Sequence, residues 1–108
     1  MSDRRRRDST EIKYDILNSA LHGDGKTHIM YATGLNLRQL NTYLGELIAS
    51  AGLEFRAEDR KYTTTEKGKA FAKAFEHYRE TMDLLAKQEA ALSNFFPTTA
   101  SPKLVVRP

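Results

Sequence analysis

The sequence predicts a mainly α-helical protein with one small β-hairpin, and three observations predict it. Apolar residues recur at helical spacing in four segments, which glycine, asparagine and threonine residues separate. The stretch between the third and fourth segments instead carries β-forming residues on either side of a polar tip. The last helical segment is much longer than the others, and its apolar residues follow a heptad pattern.

Composition is typical of a globular protein without disulfide or thiol chemistry. The 108 residues suit one compact domain with an extension, and 40% are hydrophobic and 29% charged. The absence of cysteine excludes disulfides, cysteine-based zinc sites and thiol catalysis. No apolar run approaches the roughly 20 residues that span a bilayer, and no hydrophobic segment follows the basic N-terminus. We therefore expect a cytoplasmic protein with no membrane partner.

Positive charge is concentrated near the N-terminus rather than spread evenly. The formal net charge is +3, and the run Arg4–Arg7 consists of consecutive arginines. Residues 70–92 are by contrast slightly acidic. Since residues 1–8 lack apolar periodicity, we expect them to form a disordered basic tail.

Two short helices open the expected domain. Ser9 or Thr10 can cap the first helix, and a Gly-Asp-Gly run at 23–25 ends it because glycine tolerates the left-handed conformation. Its apolar face is expected to comprise Ile12, Ile16, Leu17, Ala20 and Leu21. An expected second helix over 26–32 is followed by a tight turn at Gly34.

Asn36 opens a longer third helix. Gln39 follows three residues later, which is a capping-box arrangement. The buried stripe is expected to comprise Leu37, Leu40, Leu44, Leu47, Ile48 and Ala51. Gly52 followed by Leu53 is typical of a helix stop with an apolar contact. A short helix, a tight turn and a longer helix make a helix-turn-helix, the element that lays its second helix in the major groove of DNA.

A β-hairpin is predicted after the third helix. Residues 53–56 and 61–64 are the expected strands, and the polar residues 57–60 form the tip between them. Three helices followed by a hairpin make a winged helix, so we expect residues 9–65 to form a winged-helix DNA-binding domain.

The fourth helix is expected to join two copies of the chain. Thr65 can cap it, and residues 66–96 are too long for a domain this small, at about 45 Å. Its heptad seam needs a second chain to cover it, which predicts a coiled-coil homodimer. The expected interface comprises Phe71, Phe75, Tyr78, Met82, Leu85, Glu89, Leu92 and Phe96. Pro97 ends the helix, and residues 97–108 are expected to form a flexible tail.

Several short motifs together resemble those of an archaeal winged-helix family. They are Lys26-Thr27-His28-Ile29-Met30-Tyr31, Leu35-Asn36-Leu37, Gln39-Leu40, Tyr43-Leu44, Gly52-Leu53, Tyr62, Thr65 and Lys67-Gly68. The resemblance covers about residues 9–96. The family includes small dimeric chromatin-associated proteins and related transcription regulators. It implies a winged helix, a long helix that pairs antiparallel with its twin, and DNA binding without a cofactor.

The chain departs from the family pattern in three places. His28 stands where the family is expected to have a basic residue, which weakens one phosphate contact. Glu58 and Asp59 lie at the hairpin tip, where they would repel phosphate. The arginine run and the C-terminal tail lie outside the resemblance.

The candidate DNA contacts fall into four groups. On the third helix, arginine can read guanine, and asparagine or glutamine can read adenine. The start of the second helix can attract a phosphate. Basic residues of the hairpin and of the N-terminal tail can contact the DNA backbone. The candidates are Arg4, Arg5, Arg6, Arg7, Lys26, Thr27, His28, Asn36, Arg38, Gln39, Asn41, Thr42, Tyr43, Arg56, Arg60 and Lys61. Each group also has an ordinary interpretation as a solvated or capping residue, and Tyr43 either packs at the domain edge or reaches a phosphate.

Other chemistries are not supported by the sequence. The histidines His22, His28 and His77 lack metal-ligand spacing, and no glycine-rich phosphate loop or nucleophile motif is present. We expect no enzyme activity, metal, cofactor or small-molecule ligand. The expected partners are double-stranded DNA and a second copy of the chain.

The sequence therefore predicts a nucleoid-associated, homodimeric DNA-binding protein, either a transcription regulator or a chromatin architectural protein. The alternative is a winged-helix protein–protein adaptor in a transcription complex. Basic residues at Lys26, Arg38 and Arg56 favour DNA over an adaptor role.

Overall fold

The computed structural model describes residues 7–96 and confirms the predicted fold class. Within that range the chain forms four helices and one two-stranded antiparallel sheet. The elements are α1 (Ser9–Ser19), α2 (Lys26–Thr33), α3 (Leu37–Ala49), β1 (Leu53–Arg56), β2 (Lys61–Thr64) and α4 (Glu66–Phe95). The expectations for residues 1–6 and 97–108 lie outside the described residues.

The chain divides into two units within α4. The first unit covers residues 1–75 and the second covers residues 76–108. The first unit therefore holds α1 to β2 together with the first turns of α4, and its core comprises Ile16, Leu17, Ala20, Ile29, Leu35, Leu40, Leu44, Leu47 and Leu53. No helix among the described residues is both long and apolar enough to cross a membrane.

The cap of α1 is Asp8, and the expectation of Ser9 or Thr10 was wrong. Asp8 has extended backbone, and its Oδ1 accepts a hydrogen bond of 2.9 Å from the Glu11 amide. A carboxylate at this position also interacts favourably with the positive end of the helix. The helix ends at Ser19, so Leu21 is only partly buried, while Gly23 adopts a left-handed backbone with φ of 91°.

Only part of the expected stripe of α3 is buried. Leu40, Leu44 and Leu47 enter the core, whereas Leu37 and Ile48 are 52% and 41% exposed. These two residues lie at the margins of the apolar face. Ala51 lies beyond the end of the helix and is also exposed.

The end of α3 is a Schellman motif centred on an alanine. The Gly52 amide donates to the Leu47 carbonyl at 2.8 Å, and the Ala51 amide donates to the Ile48 carbonyl at 3.0 Å. The residue with the left-handed backbone is Ala51, with φ of 67°, and not the expected Gly52. The expected stop is therefore present, one residue earlier than the glycine that predicts it.

The first turn of α4 is fastened to the end of α3. The Thr65 hydroxyl donates to the Ala51 carbonyl at 2.6 Å and accepts from the Gly68 amide at 3.1 Å, which confirms Thr65 as the cap. The Thr65 amide donates to the Gly52 carbonyl at 3.0 Å. A Cβ atom on Gly68 would overlap the Gly52 carbonyl oxygen and lie 2.7 Å from Thr64 Cγ2. Close approach of two backbones, rather than a special torsion angle, therefore requires this glycine.

The hairpin forms with the predicted strand boundaries. Its register pairs Leu53 with Thr64 at the base and Arg56 with Lys61 next to the tip. An isolated bridge joins its second strand to the loop before α2, because the amides of Asp24 and Tyr62 each donate to the carbonyl of the other, at 2.9 and 2.7 Å. The hairpin is thus tied to the loop that leads into α2.

Phe75 is buried within its own chain, which corrects its assignment to the dimer interface. Its ring is 8% exposed and lies 5.1 Å from the ring of Tyr14 on α1. The ring of Phe71 stacks 6.2 Å from that of Phe75. Tyr14 was not expected in the core, because it lies outside the face that carries Ile12 and Ile16.

Within residues 76–96, by contrast, every side chain is exposed. The large apolar side chains there are Tyr78, Met82, Leu84, Leu85, Leu92, Phe95 and Phe96. Most belong to the heptad seam, whereas Leu84 and Phe95 do not.

We predict that Gly68→Ala destabilises the protein. The added methyl group overlaps a backbone oxygen that cannot rotate away, so we expect a net loss of about 1–3 kcal/mol in the free energy of unfolding. Gly45→Ala is the matched control, since a Cβ atom there meets nothing within 4 Å and helix propensity should add about 0.5–1 kcal/mol. Chemical denaturation measures both variants, and equal stabilisation of the two would contradict the close approach.

Candidate nucleic-acid interface

The start of α3 is held by the capping box that the sequence predicts. The Gln39 amide donates to Asn36 Oδ1 at 2.8 Å, and the Asn36 amide donates to Gln39 Oε1 at 3.1 Å. Each side chain therefore keeps its NH₂ group but shares its oxygen with the backbone. Reading adenine needs both a donor and an acceptor from one amide, so the box limits Gln39 and Asn36 as base readers.

Arg38 and Asn41 are the candidate readers that the structure leaves available on α3. Both are exposed, and they lie three residues apart, hence on one face of the helix. Among residues 7–96, no hydrogen bond or ion pair holds either side chain. Thr42 is also exposed, but its hydroxyl donates back to the Arg38 carbonyl at 3.1 Å. Tyr43 is partly buried against the core, so it packs at the domain edge.

The start of α2 presents amide groups beside two basic or titratable side chains. Gly25 is the cap residue, and no side chain caps the helix, so its first-turn amides are available to an anion. His28 Nδ1 lies 2.7 Å from Asp24 Oδ2, where the carboxylate accepts from the ring. Asp24 was not among the predicted site residues, although its spacing of four residues from His28 is a signal for such a pair. Thr27 and His28 are exposed, and Lys26 is partly buried.

The hairpin brings Arg60 to the start of α2. One cleft of about 560 Å³ is lined by Gly25, Lys26, Thr27, His28, Phe55, Arg60 and Tyr62. The rings of Phe55 and Tyr62 pack 4.8 Å apart in its wall. Two groups of predicted phosphate contacts, far apart in the sequence, therefore share one concave surface. The bridge between Asp24 and Tyr62 holds its two sides together.

Arg56 and Asp59 neutralise one another within the hairpin. Arg56 donates to Asp59 from Nε at 3.3 Å and from a terminal nitrogen at 2.9 Å. The hydrogen bond from Arg56 lowers the pKa of Asp59 below its usual value, and the pair is charged at neutral pH. Arg56 is thus committed to a partner in its own chain, and Asp59 repels phosphate less than its charge alone suggests. The hairpin cations that remain are Arg60 and Lys61.

Arg7 does not belong to the expected disordered tail. Its guanidinium donates to Asp15 Oδ2 at 2.6 Å and to the Thr33 carbonyl oxygen at 2.8 Å. Asp15 lies 8 residues away and Thr33 lies 26 residues away, so spacing within one helix or turn does not predict either contact. Arg4, Arg5 and Arg6 lie outside the described residues. Among the described residues, no cluster of histidine, aspartate or glutamate could hold a metal ion.

Comparisons with known proteins identify the family of the chain. Residues 6–83 match a family model described as winged helix-turn-helix. The crystal structure of Sso10a-2, a DNA-binding protein from Sulfolobus solfataricus, is similar with a TM-score of 0.77 and 30% sequence identity. The match covers 85% of this chain and 99% of that one. No curated protein matches the chain. These findings confirm the resemblance seen in the sequence, and the chain belongs to the winged helix-turn-helix family.

Proposed function

We propose that the protein binds double-stranded DNA by placing α3 in the major groove. The observation that carries the proposal is the exposed pair Arg38 and Asn41, whose side chains have no partner among residues 7–96. Other polar groups on the same helix serve its own structure through the capping box and the Thr42 hydroxyl. A guanidinium and an amide on one face suit guanine and adenine edges.

The cleft between α2 and the hairpin contacts the phosphate backbone in this proposal. The uncapped start of α2, from Gly25 to His28, lines one side of the cleft, and Lys26 and Arg60 add positive charge. The carboxylate of Asp24, which contacts His28, reduces the positive electrostatic potential at the cleft. Phosphate contacts position the winged-helix unit on the duplex and carry no sequence information by themselves.

Few base readers and several phosphate contacts favour a general, architectural role over gene-specific regulation. With Arg38 and Asn41 as base readers, each winged-helix unit would read only a few base pairs. A bidentate contact to one base discriminates by about 1–3 kcal/mol. We therefore propose that the protein binds many duplexes with modest preference and resides with the nucleoid. In a dimer, two linked winged-helix units would bind DNA more tightly than one, because the first contact raises the effective concentration of the second unit at the DNA.

We further propose that a second copy of the chain covers the exposed seam of α4. Met82 and Leu85 lie at successive a and d positions of the heptad seam and are 46% and 45% exposed. Monomeric proteins rarely leave a contiguous row of large apolar side chains exposed along a helix. Phe75 makes no part of this interface because Tyr14 already covers it. Glu89 continues the seam and needs a cation or water opposite it.

We predict that Arg38→Ala weakens DNA binding by about 1–3 kcal/mol and reduces the difference between duplex sequences. Removal of a base reader should act in this way, whereas removal of a phosphate contact should weaken all sequences alike. The matched control is the double variant Arg56→Ala with Asp59→Ala, which removes a mutually neutralised pair and should leave affinity unchanged. Fluorescence titration of several duplexes measures both. If Arg38→Ala binds every duplex as tightly as wild type, α3 does not read bases through Arg38.

We predict that Leu85→Glu dissociates the homodimer while the first unit stays folded. A buried carboxylate opposite an apolar partner is costly, and the core residues of the first unit lie elsewhere. Leu84→Glu is the matched control, because Leu84 is 56% exposed and lies off the seam. Sedimentation distinguishes the two variants, and DNA affinity should fall only with Leu85→Glu. A monomeric wild type would refute the dimer.

A further inference from the structure

Phe55 and Tyr62 form an aromatic pair on one face of the hairpin. The register places them opposite one another, and their ring centroids lie 4.8 Å apart. Leu53 and Thr64, which are paired at the base of the hairpin, lie on the same face and are both buried. This face therefore packs on the core at its base. Farther along the strand the core ends, and Phe55 is left 46% exposed.

Phe55 lies between two clefts of opposite charge. The cleft beside α2 is lined by Phe55 together with Lys26 and Arg60. The second cleft, of about 530 Å³, lies beside the end of α3. Its charged side chains are two glutamates and an arginine that is already paired within the hairpin, namely Glu54, Glu58 and Arg56. A phosphate beside the Phe55 ring is therefore attracted to the first cleft and repelled from the second.

The two cations of the first cleft are available to a ligand. Neither Lys26 nor Arg60 has a hydrogen bond or ion pair within the described part of the chain. The carboxylate of Asp24 borders the same cleft, but both of its oxygens are occupied, by the Gly25 amide at 3.0 Å and by His28 at 2.7 Å. The cleft thus combines free positive charge with an exposed aromatic ring.

We propose that this cleft binds an unpaired base of single-stranded DNA, which stacks on Phe55 while its phosphate contacts Lys26 and Arg60. Proteins hold single strands by this combination of aromatic rings for the bases and cations for the backbone. A base inside an intact duplex is already stacked on its neighbours, so Phe55 acts only where the strands are separated. The inference rests on the phosphate contact proposed above for this cleft and adds the base to it.

The competing interpretation is that Phe55 only stabilises the hairpin through its contact with Tyr62. That contact leaves nearly half of the Phe55 side chain exposed. The volume of the cleft, about 560 Å³, is within the roughly 300–1,000 Å³ typical of ligand sites, so a base has room to enter. The two roles differ in one measurable way, since only a stacking ring makes affinity depend on the presence of bases.

The test compares a short labelled thymidine oligonucleotide with an abasic strand of the same length. The two strands carry the same phosphates, so the difference between their affinities measures the contribution of the bases. We expect the wild type to bind the thymidine strand at least about fivefold more tightly, which is the lower end of what one base stack contributes. Fluorescence anisotropy titration of the full chain measures both strands.

Phe55→Leu keeps an apolar side chain and removes the aromatic face. It should reduce affinity for the thymidine strand to that for the abasic strand, and leave binding of the abasic strand and of a fully paired duplex unchanged. Phe95→Leu is the matched control, because Phe95 is a 72% exposed ring in the second unit and lies off the heptad seam. Thermal unfolding verifies that each variant is folded.

Arg60→Gly tests the phosphate contact separately from the stack. It should weaken both strands alike and flatten the slope of log affinity against log salt concentration by about 0.7. Arg60 has a left-handed backbone with φ of 57°, which glycine adopts without steric cost. The temperature of unfolding should therefore not fall, and a loss of affinity cannot be attributed to a loss of fold.

Equal affinity of the wild type for the two strands, or no binding of either, would overturn the stacking site and leave the proposed duplex binding intact. A thymidine preference that survives Phe55→Leu would do the same. Displacement of the thymidine strand by an equal concentration of thymidine monophosphate would overturn the strand as the ligand, in favour of a free nucleotide.

Two further outcomes concern the proposed function itself. Unchanged affinity of Arg60→Gly for both strands and for the duplex would overturn the phosphate contact of the cleft together with this inference. A wild type that prefers the thymidine strand but binds no duplex would overturn the proposed duplex binding alone.

Discussion

The contact between the end of α3 and the first turn of α4 is the constraint on which the rest of the first unit depends. The Thr65 hydroxyl caps one helix while it bonds the Ala51 carbonyl after the other. β1 starts at Leu53, immediately after this contact, and β2 ends at Thr64, immediately before it. The same contact therefore closes the base of the hairpin. Gly68 makes it possible because only a residue without a Cβ atom leaves room for the opposite backbone.

Local signals predicted the elements well, and contacts between distant residues were beyond them. The capping box at Asn36 and the cap at Thr65 depend on neighbours within a few residues, and both form as predicted. The packing of Phe75 on Tyr14 depends on how two helices meet, which spacing along one helix does not reveal. A heptad assigned from sequence therefore included a residue that the chain buries by itself. The choice of Asp8 over Ser9 as a cap is the opposite case, where several suitable residues compete within one turn.

The candidate site shows how the same residue types divide between structure and binding. Asparagine, glutamine and arginine are typical base readers, yet most of those near the interface already bond within the protein. Residue type predicts a candidate surface but cannot tell which of its polar groups already have a partner within the protein. Arg56 with Asp59 could have been recognised from spacing, as could His28 with Asp24, whereas Arg7 with Thr33 could not, since the two lie far apart in the sequence.

The backbone bridge between Asp24 and Tyr62 has a mechanical consequence. It ties the hairpin to the loop that starts α2, so it restrains motion of the two walls of the cleft relative to one another. A hairpin restrained in this way is less free to bend by itself against a distorted DNA groove. In the proposed DNA complex, the phosphates that contact the two walls would have a nearly fixed separation, and the shape and stiffness of the DNA would contribute to recognition.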